Sequence, residues 1–204
     1  MTDIFKDNSG VLLQGHIKIH NPESGEIFVD KRNAIHYENM SISLAESLAN
    51  QGQGMIYSMN FGNGGTSVDP TGIITYLSPN STGTNASLYN QTFTKVVDDR
   101  STSNTDPVRN KIETRHVSGP NYTDIIATCL LDYGEPSGQD ALDNATSSDS
   151  LYVFDELGLV SYATSGTGRL LTHVIFHPVQ KSLNRLIQID YTVRVQSLTG
   201  FNEA

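Results

Sequence analysis

The chain has 204 residues, a single cysteine and a formal net charge of −9. A chain of that length can bury a core without covalent staples, and Cys129 alone excludes an intramolecular disulfide or a cysteine-cluster metal site. Only 17% of residues are charged and no basic run occurs, so neither nucleic acid nor an anionic membrane is expected as a partner.

Residues 1–14 read as an N-terminal arm. Met1–Asp7 lacks both the basic and the apolar region of a secretory leader, and no stretch approaches the roughly 20 apolar residues of a membrane span. The Asn-x-Ser/Thr triplets at Asn39, Asn80, Asn85, Asn90, Asn121 and Asn144 are then by-products of Asn/Ser/Thr-rich loops. Gly15–His20 alternates apolar with polar, Asn21–Gly25 is turn chemistry, and Glu26–Asp30 is again extended, which makes a hairpin. Met40, Leu44 and Leu48 recur at helical spacing with Ala45 and Ala49 beside them. They predict a helix over Tyr37–Gln51, capped by Asn39 or Ser41 and stopped by Gly52 and Gly54.

Met55–Phe61 is the next strand. From about 62 to 92 the chain is polar and glycine-rich, an excursion expected to wrap the surface or a neighbouring subunit. Thr92–Val97 is a strand and Asp98–Pro107 a polar loop. Lys111–Val117 and Tyr122–Tyr133 form a hairpin, with Ile125, Ala127, Cys129, Leu131 and Tyr133 on one face. A polar loop at 134–150 leads to Leu151–Val160. After a Gly/Ser/Thr turn at Tyr162–Arg169, Leu170–His177 and Leu186–Val195 are expected to pair and close the fold. In the last of these, Ile187, Ile189, Tyr191, Val193 and Val195 face inward. The pattern predicts a mainly β protein: an antiparallel, jelly-roll-like β-sandwich with one short helix and long loops. It makes one domain, 15–197, with inserted loops 62–92 and 134–150 and a C-terminal tail at 198–204.

Few residues propose chemistry. Phe61–Thr66 is glycine-rich, but a phosphate loop needs a helix directly after it and a Lys-Ser/Thr pair, and neither follows. His173 and His177 fall on one strand face and could join His116 or Asp190 around a metal, yet the spacing defines no ligand set. Asp98 and Asp99 open an Asx-rich loop that lacks calcium-loop spacing and reads as turns. Ser165–Gly168 is not a nucleophile elbow. The absence of Trp disfavours a sugar cleft. No catalytic, cofactor-binding or metal residue is assigned, and no cofactor is expected. Glu156 sits in an apolar run before Gly158, where the strand is expected to bend. Structurally, Glu156 would accept backbone N–H groups or pair with Arg169 or Arg185; functionally, it would be a general acid.

Five segments in order carry a resemblance. They are "GHIKIHNPESGEIFVDKRNAIHYENM", the helix "SISLAESLAN", "MNFGNGGTSVDPTGIITYL", "YVFDELGLV" and "GRLLTHVIFHPVQKSLNRLIQIDYTVRVQ". Together they span roughly residues 15–197. The pattern resembles a group of virion structural proteins of tailed bacteriophages. The resemblance implies a β-rich, non-enzymatic building block of the particle, at the neck, collar or head–tail junction. Its partners would be copies of itself and other virion proteins such as portal, connector, tail or fibre proteins. A tail-fibre attachment or receptor-binding module and a capsid decoration protein are the alternatives, and an envelope hydrolase is the enzymatic one. The expected contacts lie in the arm (Ile4, Phe5, Val11, Leu12, Leu13) and the excursion (Ile73, Ile74, Tyr76, Leu77, Leu88, Tyr89), where apolar residues are too sparse to build a core.

Overall fold

The protein is seen here in a computed structural model, which describes residues 9–119, 121–137, 152–164 and 168–199. The elements in chain order are β1 (Ser9–His20), β2 (Ile27–Ile35), α1 (Tyr37–Leu48), β3 (Ile56–Gly62), β4 (Thr66–Val68) and β5 (Ile74–Tyr76). They continue with β6 (Gln91–Val96), β7 (Lys111–Val117), β8 (Tyr122–Leu131), β9 (Tyr152–Ser161), β10 (Thr172–Lys181) and β11 (Ile187–Thr199). Nine strands make one antiparallel sheet in the order β6-β3-β9-β10-β2-β1-β11-β8-β7, while β4 and β5 pair only with each other. The sheet curls into a half-barrel, so the fold is mainly β and sandwich-like, as the alternating patterns predict.

The curl has a local origin. β2 and β10 share only the pairs Ile35–Thr172 and Ala34–His173. Away from that joint the ammonium of Lys31 donates to the Ile175 carbonyl at 2.8 Å. One core is shared by both halves of the sheet. Ile17, Ile19, Ile189, Tyr191 and Cys129 come from one half, and Met59, Phe61, Leu157 and Leu159 from the other; all are fully enclosed. Burying each large apolar side chain contributes roughly 1.5–3 kcal/mol. Burial pushes the Cys129 thiol up to about 12, so it packs as a small apolar group.

Gly15 and Asn33 fit together across β1 and β2. A Cβ at Gly15 would overlap the Asn33 amide, which donates to the buried hydroxyl of Tyr191. A β-strand glycine here admits a polar side chain into a close-packed position.

The chain departs from the sequence expectation in five places. Leu170–His177 and Leu186–Val195 are not a pair. β10 lies between β9 and β2, while β11 inserts between β1 and β8, because the link after Lys181 crosses from one half of the sheet to the other. The arm ends sooner than expected: from Ser9 onward the chain is strand β1, paired with β11 as far as Thr199. The same pairing absorbs residues 198 and 199 of the expected tail. β2 joins β1 only from Gly15, so residues 9–14 leave one edge of β1 open, and Ser9–Val11 with Ser197–Thr199 run past both β2 and β8 as a two-stranded ribbon.

The helix differs too. His36, not Asn39 or Ser41, is the cap, its Nδ1 accepting from the Asn39 amide. The helix ends at Leu48, with Asn50 in the left-handed region at φ 56°. Its buried face is Asn39, Met40 and Ser43, whereas Leu48 is 90% exposed. Only the first two turns lie on the sheet, where Asn39 donates to the Leu170 carbonyl at 3.0 Å. Lastly, Tyr133 lies beyond the end of β8 and is exposed, while Ala127, Cys129 and Leu131 face inward as the alternation predicts.

Candidate functional site

β9 is buried almost throughout, because the 62–92 excursion lies across the strand's outer face as a strap. The strap is fixed by two adjacent carboxylates. Core residues on β9 are Phe154, Leu157 and Leu159, so the alternation misses a step between Phe154 and Leu157. Pairing with β10 shifts at the same place, from Glu156–Ile175 to Phe154–Val179. A bulge of this kind re-aims side chains. Asp155 and Glu156 both reach the strap.

Asp155 accepts the amides of Gly65 and Thr66, each at 2.9 Å, and the Thr66 hydroxyl. Glu156 accepts Gly64 N at 3.1 Å and Asn90 N at 2.8 Å on Oε1. It accepts Tyr89 N at 2.9 Å and His173 Nε2 at 3.0 Å on Oε2. The glycine-rich loop is therefore an anion cradle of backbone N–H groups, and the anions are the protein's own carboxylates. Glycine is needed there for space. A Cβ at Gly62 would stand 2.5 Å from both Asn90 O and Glu156 Oε1, and one at Gly65 would stand 2.9 Å from the Ile175 side chain. Gly158, paired with Asn60, is a close-approach position as well, 2.4 Å from Thr172 O to an added Cβ.

Two buried histidines complete the fastening. His173 receives the Asn80 amide on Nδ1 at 2.8 Å, so its proton is on Nε2, aimed at Glu156. His36 receives the Asn39 amide on Nδ1 and donates from Nε2 to the Gly83 carbonyl at 3.0 Å. Leu88 adds an apolar peg against Val160 and Leu170. Burial pushes the Glu156 carboxyl up, but His173 and the amides of Asn90, Tyr89 and Gly64 outweigh burial and hold it below its ordinary value.

This geometry decides between the two roles weighed for Glu156. Its oxygens are occupied by four donors and it is fully enclosed. A general acid needs a proton held near neutral pH; Glu156 is an ionised anchor. The partner is His173 and neither arginine. Arg169 pairs with Glu46 at 2.8 Å, and Arg185 lies over the Phe28 ring at 5.2 Å.

Of the contact residues expected from sequence, Ile4 and Phe5 lie outside the described residues. Val11 and Leu12 are exposed on the β1–β11 ribbon, and Leu13 packs against the core. On the strap, Ile73, Tyr76, Leu77 and Tyr89 are exposed, Ile74 is half-buried and Leu88 is buried. Val68, exposed on the β4–β5 hairpin, belongs with them. The strap thus packs on its own sheet through polar anchors and Leu88, and turns apolar side chains outward.

The remaining candidates stay apart. His177 is exposed beside the Tyr76 hydroxyl, His116 meets Thr123, and Asp190 meets His20 at 2.9 Å. Among the described residues no three His, Cys, Asp or Glu side chains converge to hold a metal. Asp98 binds Arg100 within its turn. Ser165–Thr167 and most of loop 134–150 lie outside the described residues. A groove of about 610 Å³ between α1, the strap and the end of β9 is lined by Ile42, Gln53, Thr84, Ser87, Tyr162 and Arg169. Among the described residues its lining brings together no nucleophile and base.

Sequence reading missed Asp155, His36 and Lys181. Lys181 is fully enclosed and donates to Tyr133 O at 3.1 Å and Ser182 O at 2.8 Å. Burial pushes its ammonium down to about 8, partly opposed by Glu135 and Asp132. Among the described residues no helix is long and apolar enough to cross a membrane. Comparison with protein-family models, curated proteins and solved structures finds no match.

Proposed function

We propose that the chain is a non-enzymatic structural subunit of a tailed-bacteriophage virion, of the neck, collar or head–tail junction type, joined to copies of itself and to other virion proteins. One observation carries the assembly part of the reading. The strap presents Val68, Ile73, Tyr76, Leu77 and Tyr89 to the outside while buried carboxylates and histidines fix its backbone from beneath. A rigid loop with outward apolar anchors suits protein–protein contact, because little conformational entropy remains to be lost on binding. The virion part rests on the sequence resemblance. Exposed Val11 and Leu12 on the overhanging end of β1 support a second contact, since a strand edge left open there can pair with another chain.

Light scattering of the purified protein at two concentrations, with labelled protein mapped on intact particles, tests this. Multimers located at the neck are expected. A monomer absent from particles would overturn the proposal. Replacing Tyr76, Leu77 and Tyr89 by Ser should weaken assembly while leaving the fold intact by circular dichroism.

A further inference from the structure

The outer face of β2, β1, β11, β8 and β7 carries a cationic depression of about 310 Å³, lined in part by His16, Arg32, Arg115, Asp124 and Arg194. Strand register builds it. Arg115 and Arg194 both lie opposite Asp124 across β7, β8 and β11, and Arg32 lies opposite His16 across β2 and β1. Three of the seven arginines of a chain with net charge −9 converge here.

Arg194, at the centre of the arrangement, is braced. Asp124 is 1% exposed and grips Arg194 in two-point fashion, Nε–Oδ1 at 2.8 Å and Nη2–Oδ2 at 3.0 Å. Arg115 reaches the same carboxylate at 3.4 Å. The Arg194 guanidinium carbon lies over the Tyr122 ring, 3.6 Å from its centre. Each guanidinium has five N–H donors. Asp124 uses two on Arg194 and one on Arg115, which leaves donors on both. Arg32 is exposed and has no ion-pair partner among the described residues. The held guanidinium of Arg194, with those of Arg115 and Arg32 beside it, offers donors that match an oxyanion in charge and shape.

We propose that this depression binds a single oxyanion, and that its occupant in the assembly is a carboxylate presented by a partner protein. The acids around it set the size of the ligand. Asp30 pairs with His16 at 2.8 Å, Glu113 with Lys111 at 3.1 Å, and Asp190 with His20. These carboxylates confine the positive surface to one spot, whereas a nucleic-acid backbone needs a continuous cationic track. Oxyanion binding stands on the geometry alone; the choice of a partner protein as its source rests on the assembly reading above.

The test uses the full-length protein labelled with nitrogen-15, and follows the Nε–H signals of Arg194 and Arg115. Two probes are titrated separately: N-acetylglutamate N-methylamide, which carries one carboxylate, and inorganic phosphate. Saturable shifts with the carboxylate probe are expected at millimolar concentration, weakening with added salt. Arg32→Gln, which breaks no ion pair, should weaken binding about threefold or more. Absence of saturable shifts, or equal binding by Arg32→Gln and Arg115→Gln, would overturn the site. Phosphate binding without carboxylate binding would overturn the occupant. The readout needs no assembly, so a monomeric protein that binds the carboxylate would sink the assembly reading and leave the site standing.

Discussion

Glu156 Oε2 and His173 Nε2 lie 3.0 Å apart with both side chains fully enclosed, and the ring's other nitrogen holds the Asn80 amide. One contact inside the sheet therefore ties β9 and β10 to the middle of the strap. Glu156→Gln keeps the shape but turns an amide N–H toward donors. It should cost about 2–4 kcal/mol in urea denaturation and make residues 62–92 more sensitive to limited proteolysis. Unchanged stability and unchanged cleavage would refute the anchoring role.

Acid should act through the same carboxylate. The folded-state pKa of Glu156 lies below its ordinary 4.5, and that of Asp124 below 3.8, where the bonds from Arg194 outweigh burial. Each contributes stability that is complete above the ordinary value and is lost as pH falls through the lower folded value. Stability should decline below pH of about 4.5, and the decline should be shallower in Glu156→Gln and in Asp124→Asn. Denaturant midpoints measured across the acid range check both variants.

Lys181 works in the opposite direction on the alkaline side. Its folded pKa is about 8 against an ordinary 10.5. In that window the unfolded chain retains a proton that the folded chain releases, so this residue makes stability rise with pH. Between pH 8 and 10 the gain should be on the order of 1–2 kcal/mol. Lys181→Met should lack it, whatever its stability at pH 7. Parallel pH profiles for the two proteins would rule this out.

Glycines of the strap and of the outer loops differ in what they tolerate. Gly62→Ala should cost about 2 kcal/mol or more, since the added carbon meets a backbone carbonyl. Gly134→Ala, with nothing within 4 Å of the added carbon, should stay within about 0.5 kcal/mol of the parent. Thermal denaturation of the pair measures the difference.

Legibility in the sequence followed the geometry of burial. β11 was readable because one face packs and the other meets solvent, so Ile187, Ile189, Tyr191 and Val193 alternate cleanly with polar residues. β9 gave only an apolar run, since the strap covers its second face and a bulge interrupts its period. The helix misled at Leu48, where regular spacing continues past the last turn that touches the sheet. At the site, Glu156 stood out as an acid among apolar residues. His173 drew notice only as a possible metal ligand and His36 not at all, because the strap groups they hold, Asn80 N and Gly83 O, lie 93 and 47 residues away. Strand order was hidden for the same reason: periodicity says which way a side chain points, not which strand lies beside it. The glycines of Phe61–Thr66 read as a loop that binds no phosphate; the backbone cradle they do form holds carboxylates some 90 residues away, which local spacing cannot show.

The placement of β11 between β1 and β8 governs when the molecule can become itself. His16 waits for Thr192, and until that strand arrives β1–β2 and β7–β8 are two separate hairpins with half of a common interior exposed. During synthesis at about 5–20 residues per second, the gap between these partners lasts on the order of 10–35 seconds. Contacts this distant in sequence also make closure slow. The interior is sealed by β11, so a chain cut short before Ile187 would carry β1 to β10 and still have no finished core.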